Sequence, residues 1–387
     1  MSRSLSNLTS DLYTAVDIVS RELVGLIPAV SADMTYNRAA IGETVYSAVT
    51  ASASATDISA AVTPPDDGDN ALTATPLTIT KARRVPVRIN GEQQKILDNS
   101  VGWNSVRANE FAQAMRVLVN EIETDLAALY LRASRAYGTA GTTPFGAATK
   151  LGDAAYLQKI LDDNGAPQTD RQMVVNTAAA VALSSLTQLT NVNEAGTDNL
   201  LRRGVMGDLF GFATRKSSRI ATHTAGSGTG YLVDLVAGYG AGDTTIHVDT
   251  GTAGATGIIA GDVISIADDP SGEKYLVTTG TADAEADIVI QSPGLMGAAA
   301  NNKAVTLAAN YIANMAFSRS AIYLATRAPA VPSEGDSADD AMIVTDPVSG
   351  LSFEIREYRQ YRQIQYEVGI AWGVACVKPE HVALLLG

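Results

Sequence analysis

The chain has 387 residues, 46% of them hydrophobic, with 28 Lys+Arg against 41 Asp+Glu and a formal net charge of −13. That length supports a sizeable core and more than one domain, and the apolar fraction excludes a mainly disordered chain. The acidic balance argues against gripping nucleic acid through many phosphates and against docking on anionic membranes.

Residues 6–24 carry Leu8, Leu12, Val16, Val19 and Leu23 at helical spacing, which predicts an amphipathic arm helix stopped by Gly25 and Pro28. That apolar face needs a surface to lie on, either the chain's own core or a partner. From Glu43 to Ile96 the pattern turns extended. Glu43–Ala51 and Leu72–Ile89 read as the two strands of a long hairpin whose tip is rich in Ser, Ala, Pro and Asp. Lys81, Arg83, Arg84, Arg88 and Lys95 make the second half of this arm basic. A two-stranded arm is marginal alone and its open edges invite another chain, so these residues are expected at an intersubunit contact.

A spine helix is predicted from Asn104 to Tyr137, with Phe111, Met115, Leu118, Ile122, Leu126 and Leu129 on one stripe and Gly138 at its end. About 34 helical residues would span about 50 Å. Gly152–Asp163 reads as a second helix, Met173–Val175 as a buried strand, Ala178–Leu189 as a short helix and Phe210–Thr214 as a strand. Six short strands follow between Thr222 and Asn310: Tyr231–Leu235, Thr244–Asp249, Asp262–Ala267, Lys274–Thr279, Asp287–Gln291 and Ala304–Ala308. Their spacing suggests a small all-β barrel or sandwich set into a surrounding α/β domain. Helical signals resume at Ala313–Ala328, and Ser352–Val374 reads as one long strand interleaving Arg356, Arg359 and Arg362 with Tyr358, Tyr361 and Tyr366. Glu354, Glu357 and Glu367 among those arginines favour a subunit contact over base stacking.

Catalytic and metal signals are thin. Cys376 is the only cysteine, which excludes an intrachain disulfide and a Cys-based zinc site and reads as a buried small hydrophobe. His223, His247 and His381 share no ligand spacing. Gly226–Gly230 lacks the Lys-Ser/Thr of a phosphate loop, and Asp66–Asp69 fails the calcium-loop pattern, so both read as turns. Charges near the N-terminus interrupt any signal-peptide core, and no apolar run of about 18 residues offers a membrane span. A protein made in the cytoplasm, without cofactor or metal, is expected.

Three local patterns are familiar. Gly204–Ser217 is similar to a Gly-x-x-Gly-x-x-x-Gly-Phe-x-x-x-x-Ser stretch, Met315–Arg327 to an Ala-Phe-x-Arg helix, and Asp346–Ser352 leads a Tyr/Arg-rich strand into Gly373-Val374-Ala375. In that order they resemble the major capsid (coat) proteins of tailed bacteriophages, the Hong Kong 97-type fold, and within it the coat family of short-tailed Salmonella-type phages with an inserted domain. The resemblance implies an α+β capsid fold: an N-terminal arm (1–42), an extended hairpin loop (43–100), a spine helix and peripheral domain (101–150) and an axial domain (151–222). An inserted β-barrel (223–309), the axial/peripheral return (310–341) and C-terminal peripheral strands (342–387) complete it. It implies a non-enzymatic, self-assembling subunit forming hexamers and pentamers of an icosahedral head that encloses double-stranded DNA without reading its sequence. A scaffolding protein and a portal protein are the implied partners, with a decoration protein left open, in the host cytoplasm during assembly and in the virion afterwards. An encapsulin-type compartment shell is the alternative within the same fold.

Overall fold

The computed structural model describes residues 12, 15, 16, 25–49, 55–58, 60, 62, 63, 73–98, 103–146, 151–190, 207–346 and 350–387. The arm residues Leu8, Val19 and Leu23 and the Asp66–Asp69 turn lie outside them. Leu12, Ala15 and Val16 are helical and buried in the chain's own main core.

The first strands are β1 (Ser31–Ala39), β2 (Thr44–Val49), β3 (Thr73–Thr78) and β4 (Lys81–Asn90). Helices α1 (Gly91–Asp98) and α2 (Trp103–Ala127) follow, then β5 (Arg135–Tyr137), α3 (Gly152–Asp163), β6 (Arg171–Val175), α4 (Thr177–Ser184) and α5 (Thr187–Thr190). Short strands β7 (Asp208–Leu209), β8 (Phe212–Lys216) and β9 (Thr222–His223) lead to β10 (Tyr231–Val233), β11 (Thr245–Asp249) and β12 (Val263–Ile266). Next come β13 (Lys274–Thr279), β14 (Ala286–Ile290), β15 (Ala304–Leu307), β16 (Tyr311–Ser318) and β17 (Ile322–Pro329). The chain closes with β18 (Asp340–Thr345), β19 (Ser352–Gln360), β20 (Gln363–Cys376) and β21 (Val382–Leu386).

One sheet runs β1-β17-β20-β19-β18, with β4 along the other side of β20. Helix α2 lies on it through Phe111, Met115, Leu118, Ile122 and Leu126, none more than 1% exposed, and Phe111 meets Tyr366 edge-on at 5.3 Å. A second sheet carries β5-β21-β16-β6-β8-β7, and its strands alternate between two cores. Met173, Val175, Ala316, Ala383 and Leu385 face α3 and α4, whereas Val174, Met315, Phe317, Val382, Leu384 and Leu386 face the main core. Both faces of this sheet are therefore covered.

Strands β10–β15 pair in the order β12-β15-β10-β11-β14-β13, and a further β12–β13 pairing closes the ring. Its interior is filled by Tyr231, Val233, Ile246, Val248, Ile264, Tyr275, Val277, Ile288 and Ile290. All six strands expected between Thr222 and Asn310 are present. The ring is joined to the body sheet where β13 pairs with β5, Lys274 against Ala136 and Tyr275 against Arg135.

Four expectations need correction. The spine helix stops at Ala127, about 37 Å long. A 3₁₀ turn over Ala128–Arg132 follows, and Arg135–Tyr137 is a strand held between β21 and β13. Residues 313–328 are not a helix but the strands β16 and β17. Strand β16 sits between β21 and β6 with both faces buried, so nearly every position is apolar and the period-2 signal vanishes. The long strand expected at Ser352–Val374 is the hairpin β19–β20, turning at Tyr361 and Arg362, with Arg362 at φ 59° and no Gly or Asn to announce it. The second hairpin strand is split: β3 pairs with β2, whereas β4 leaves the hairpin and pairs with β20 from Gln363 to Trp372.

Candidate assembly surfaces

The basic run of 81–95 lies on β4 and α1 at the edge of the first sheet, and most of its charge is met within the chain. Lys81 Nζ is 2.7 Å from Asp125 and 3.4 Å from Glu121 on α2. The hydrogen bond to Asp125 outweighs burial and raises the Lys81 pKa. Asp125 also accepts from Trp372 Nε1 at 2.8 Å, and the Lys81 ammonium stands 5.9 Å from the Trp372 ring. Arg83 reaches Glu121 at 3.3 Å and Arg84 reaches Glu367 at 2.7 Å, yet both arginine side chains remain more than half exposed. Arg88 donates to Gln365 Oε1 at 3.0 Å. Lys95 is exposed beside a hollow of about 780 Å³ shared with Ile89, Arg359, Arg362 and Gln363.

Among the described residues, β4 pairs on one side only, and β2–β3 is a sheet of two strands. The root of this hairpin is fixed to the body: Leu77 and Ile79 are buried with Ala39, Ala325 and Ala371. Gly373, within the third sequence pattern, is needed for that approach, since a Cβ there would lie 2.1 Å from Thr78 O. Beyond the root the hairpin is open. Tyr46 is 70% exposed, Ile41 64%, and Ile58 and Val62 on the connecting segment are fully exposed.

The first sequence pattern makes the tight β7–β8 turn, with Phe210 and Gly211 both at positive φ, 50° and 76°. Its last residue, Ser217, donates to Glu123 Oε2 at 2.8 Å. Glu123, on α2 and 1% exposed, accepts through Oε1 from the amides of Leu26 and Ile27, both at 2.8 Å. Burial raises its pKa, against the pull of those donors. This carboxylate joins the N-terminal segment, the spine helix and β8. Sequence reading missed it, because one Glu on a charged helix face carries no signal. The arginines of the second pattern also serve the N-terminal segment: Arg319 donates to Pro28 O at 2.9 Å, and Arg327 to Asp33 at 2.7 Å.

His223 is buried at the foot of the ring. Its Nε2 is 2.9 Å from Asp262 and its Nδ1 2.9 Å from Tyr130 OH. A carboxylate only accepts, so Nε2 carries a proton toward Asp262 while Nδ1 is bonded to the tyrosine hydroxyl. Asp262 further accepts from the amides of Gly226 and Ile259. Tyr130, His223 and Asp262 are at most 8% exposed, so this chain of bonds links the ring to the end of the spine helix rather than meeting a substrate. Cys376 is only partly buried, yet desolvation pushes its thiol up to about 12, which leaves little nucleophilic thiolate at neutral pH. No helix of the described residues is long and apolar enough to cross a membrane.

No protein-family model matches this chain, and no curated protein resembles it in sequence. Among solved structures, one of Mycobacterium phage Che8 is similar at 15% identity, covering 91% of each chain, with a TM-score of 0.47. The capsid structure of the cyanophage P-SCSP1u is similar at 13% identity over 92% of this chain and 86% of that one, with a TM-score of 0.49. A virus-like particle from Pyrococcus furiosus is similar at 8% identity over 98% of both chains, with a TM-score of 0.43.

Proposed function

We propose that this chain is a structural shell subunit: a phage major capsid protein that assembles with copies of itself into hexamers and pentamers of an icosahedral head around double-stranded DNA. The observation that carries the reading is the β2–β3 hairpin. It is rooted in the core at Leu77 and Ile79, yet presents Ile41, Tyr46, Ile58 and Val62 to solvent with no third strand among the described residues. A two-stranded ribbon with exposed apolar side chains gains stability when another surface covers it, and a shell supplies the same neighbour at every position. The three sequence patterns support the same reading. Gly373, Ser217 and Arg319 each hold a junction rather than a reaction centre.

In this reading β10–β15 form an inserted module, and a scaffolding protein and a portal direct assembly in the host cytoplasm before the chain takes its place in the virion. Lys81, Arg83, Arg84, Arg88 and Lys95 border the subunit contact. The ring favours a phage coat over a simple compartment shell. The test is to express the chain with and without a cognate scaffolding protein and examine the products by electron microscopy. Closed shells or capsomer-sized rings are expected. Soluble monomers under both conditions, with residues 41–80 resistant to protease, would overturn the proposal.

A further inference from the structure

The pairing of β10, β11 and β14 gathers ligand-type side chains on the outside of the ring. The Asp234 amide donates to His247 O, and His247 is the register partner of Asp287. Asp234, His247 and Asp287 therefore stand in one row across three neighbouring strands, while Val233, Ile246, Val248 and Ile288 point into the core. Glu285, two residues before Asp287, shares the outer face. His247 Nδ1 lies 2.6 Å from Asp287 Oδ1. Since a carboxylate only accepts, Nδ1 carries a proton there, and Nε2 is the ring nitrogen left to meet a cation, in exchange for any proton it holds. That nitrogen is 3.6 Å from Glu285 Oε1, and one ligand atom from each of Asp234, His247 and Glu285 lies within 4.8 Å of the others.

We propose that Asp234, His247 and Glu285 bind a zinc-type divalent cation, with Asp287 orienting the imidazole. One nitrogen and two carboxylate oxygens suit zinc and its borderline neighbours, which bond such atoms at ~2.0–2.2 Å. Small rotations of these side chains, with Glu285 exposed and the other two part-exposed, close the remaining gap. Calcium, which takes six or more oxygens, is poorly served by this set. A carboxylate on the far ring nitrogen is the usual support for a metal-binding histidine, and it fixes which nitrogen faces the ion. The cation would clip three strands together across the outside of the ring and relieve the crowding of three carboxylates around one imidazole.

The experiment is calorimetric titration of the full, untagged chain with zinc chloride and, separately, calcium chloride. One zinc per chain is expected, weakened at least ~tenfold by His247→Ala and by Glu285→Gln, with no calcium binding at this site. Glu285 is exposed, so its variant keeps the fold even if His247→Ala does not. Asp287→Asn should weaken zinc ~tenfold while leaving the unfolding temperature in EDTA unchanged, which a purely structural role would not allow. Absence of zinc binding up to millimolar concentration, or unchanged affinity in Glu285→Gln, would overturn the assignment.

Discussion

Glu123 ties three separate stretches of the chain together through one buried carboxylate. Its two oxygens take the amides of Leu26 and Ile27 and the hydroxyl of Ser217, so Glu123→Ala would strand three buried donors. A loss of about 3 kcal/mol or more in denaturant unfolding is expected, with early proteolysis before residue 31. Glu123→Gln keeps an acceptor for both amides and turns its NH₂ toward a hydroxyl that can accept, so it should stay near the wild type at neutral pH. The two differ with pH. Burial raises the folded pKa of Glu123 above the ordinary 4.5, so stability from the protonated form is full below that value and lost as pH rises through the folded pKa. The wild type should therefore gain on Glu123→Gln as pH falls through the raised pKa toward 4.5, and a constant difference between them would refute the burial argument. Residue-level roles of this kind were hardly legible in the sequence. Gly373 and Ser217 stood out through a pattern, but the contacts that need them span the chain, and Glu123 looked like any solvated helix residue.

Elements were legible where local pattern and tertiary demand agreed. Helix α3 matches its expected bounds, and all six ring strands were visible because turns rich in Gly and Asp separate short alternating runs. The failures share a cause: sheet pairing overrode the local period. Residues 134–137 could continue a helix, but Ser134 and β5 are held by Val382 and β21. Strand β16 is apolar at six of its eight positions and β17 buries Thr326 and Arg327 along with its apolar residues, because strands covered on both faces show no polar side to alternate. The ring has its own core and its own closure, so a fragment of residues 224–308 should fold alone and show dispersed amide signals. Its Lys274 amide should exchange quickly, because β5 is absent from the fragment, whereas Tyr275 keeps its pairing with Ile264. A collapsed spectrum without dispersion would remove the case for a separate folding unit.

Charge across the whole molecule is arranged differently from what composition suggests. The basic stretch looked like a surface kept for a partner, yet Lys81, Arg83 and Arg84 already face Asp125, Glu121 and Glu367. Reversing these arginines to Glu would set carboxylate against carboxylate inside one chain and confound any assembly measurement. Replacing Arg83, Arg84 and Arg88 together by Gln is the cleaner test. Pairs this exposed contribute only about 0–1 kcal/mol each to folding, so the unfolding temperature should move little while the yield of assembled particles falls several-fold. Equal loss of both would assign these residues to the fold alone. The order of hairpin, spine helix, ring strands and C-terminal strands was readable, whereas the way β4 leaves the hairpin for β20 was not, since no residue type marks the exchange of partners at Ile79 and Thr80. The placement of β21 has a consequence in time. It lies between β5 and β16, with parallel Ala383–Leu385 against Arg135–Tyr137 on one side and antiparallel Val382–Leu386 against Ala313–Phe317 on the other. During synthesis both neighbours wait with open edges until residues 382–386 leave the ribosome, a closure deferred across some 250 positions. A chain built this way completes its second sheet only when β21 has emerged, so the edges of β5 and β16 that face it stay open to wrong partners until then.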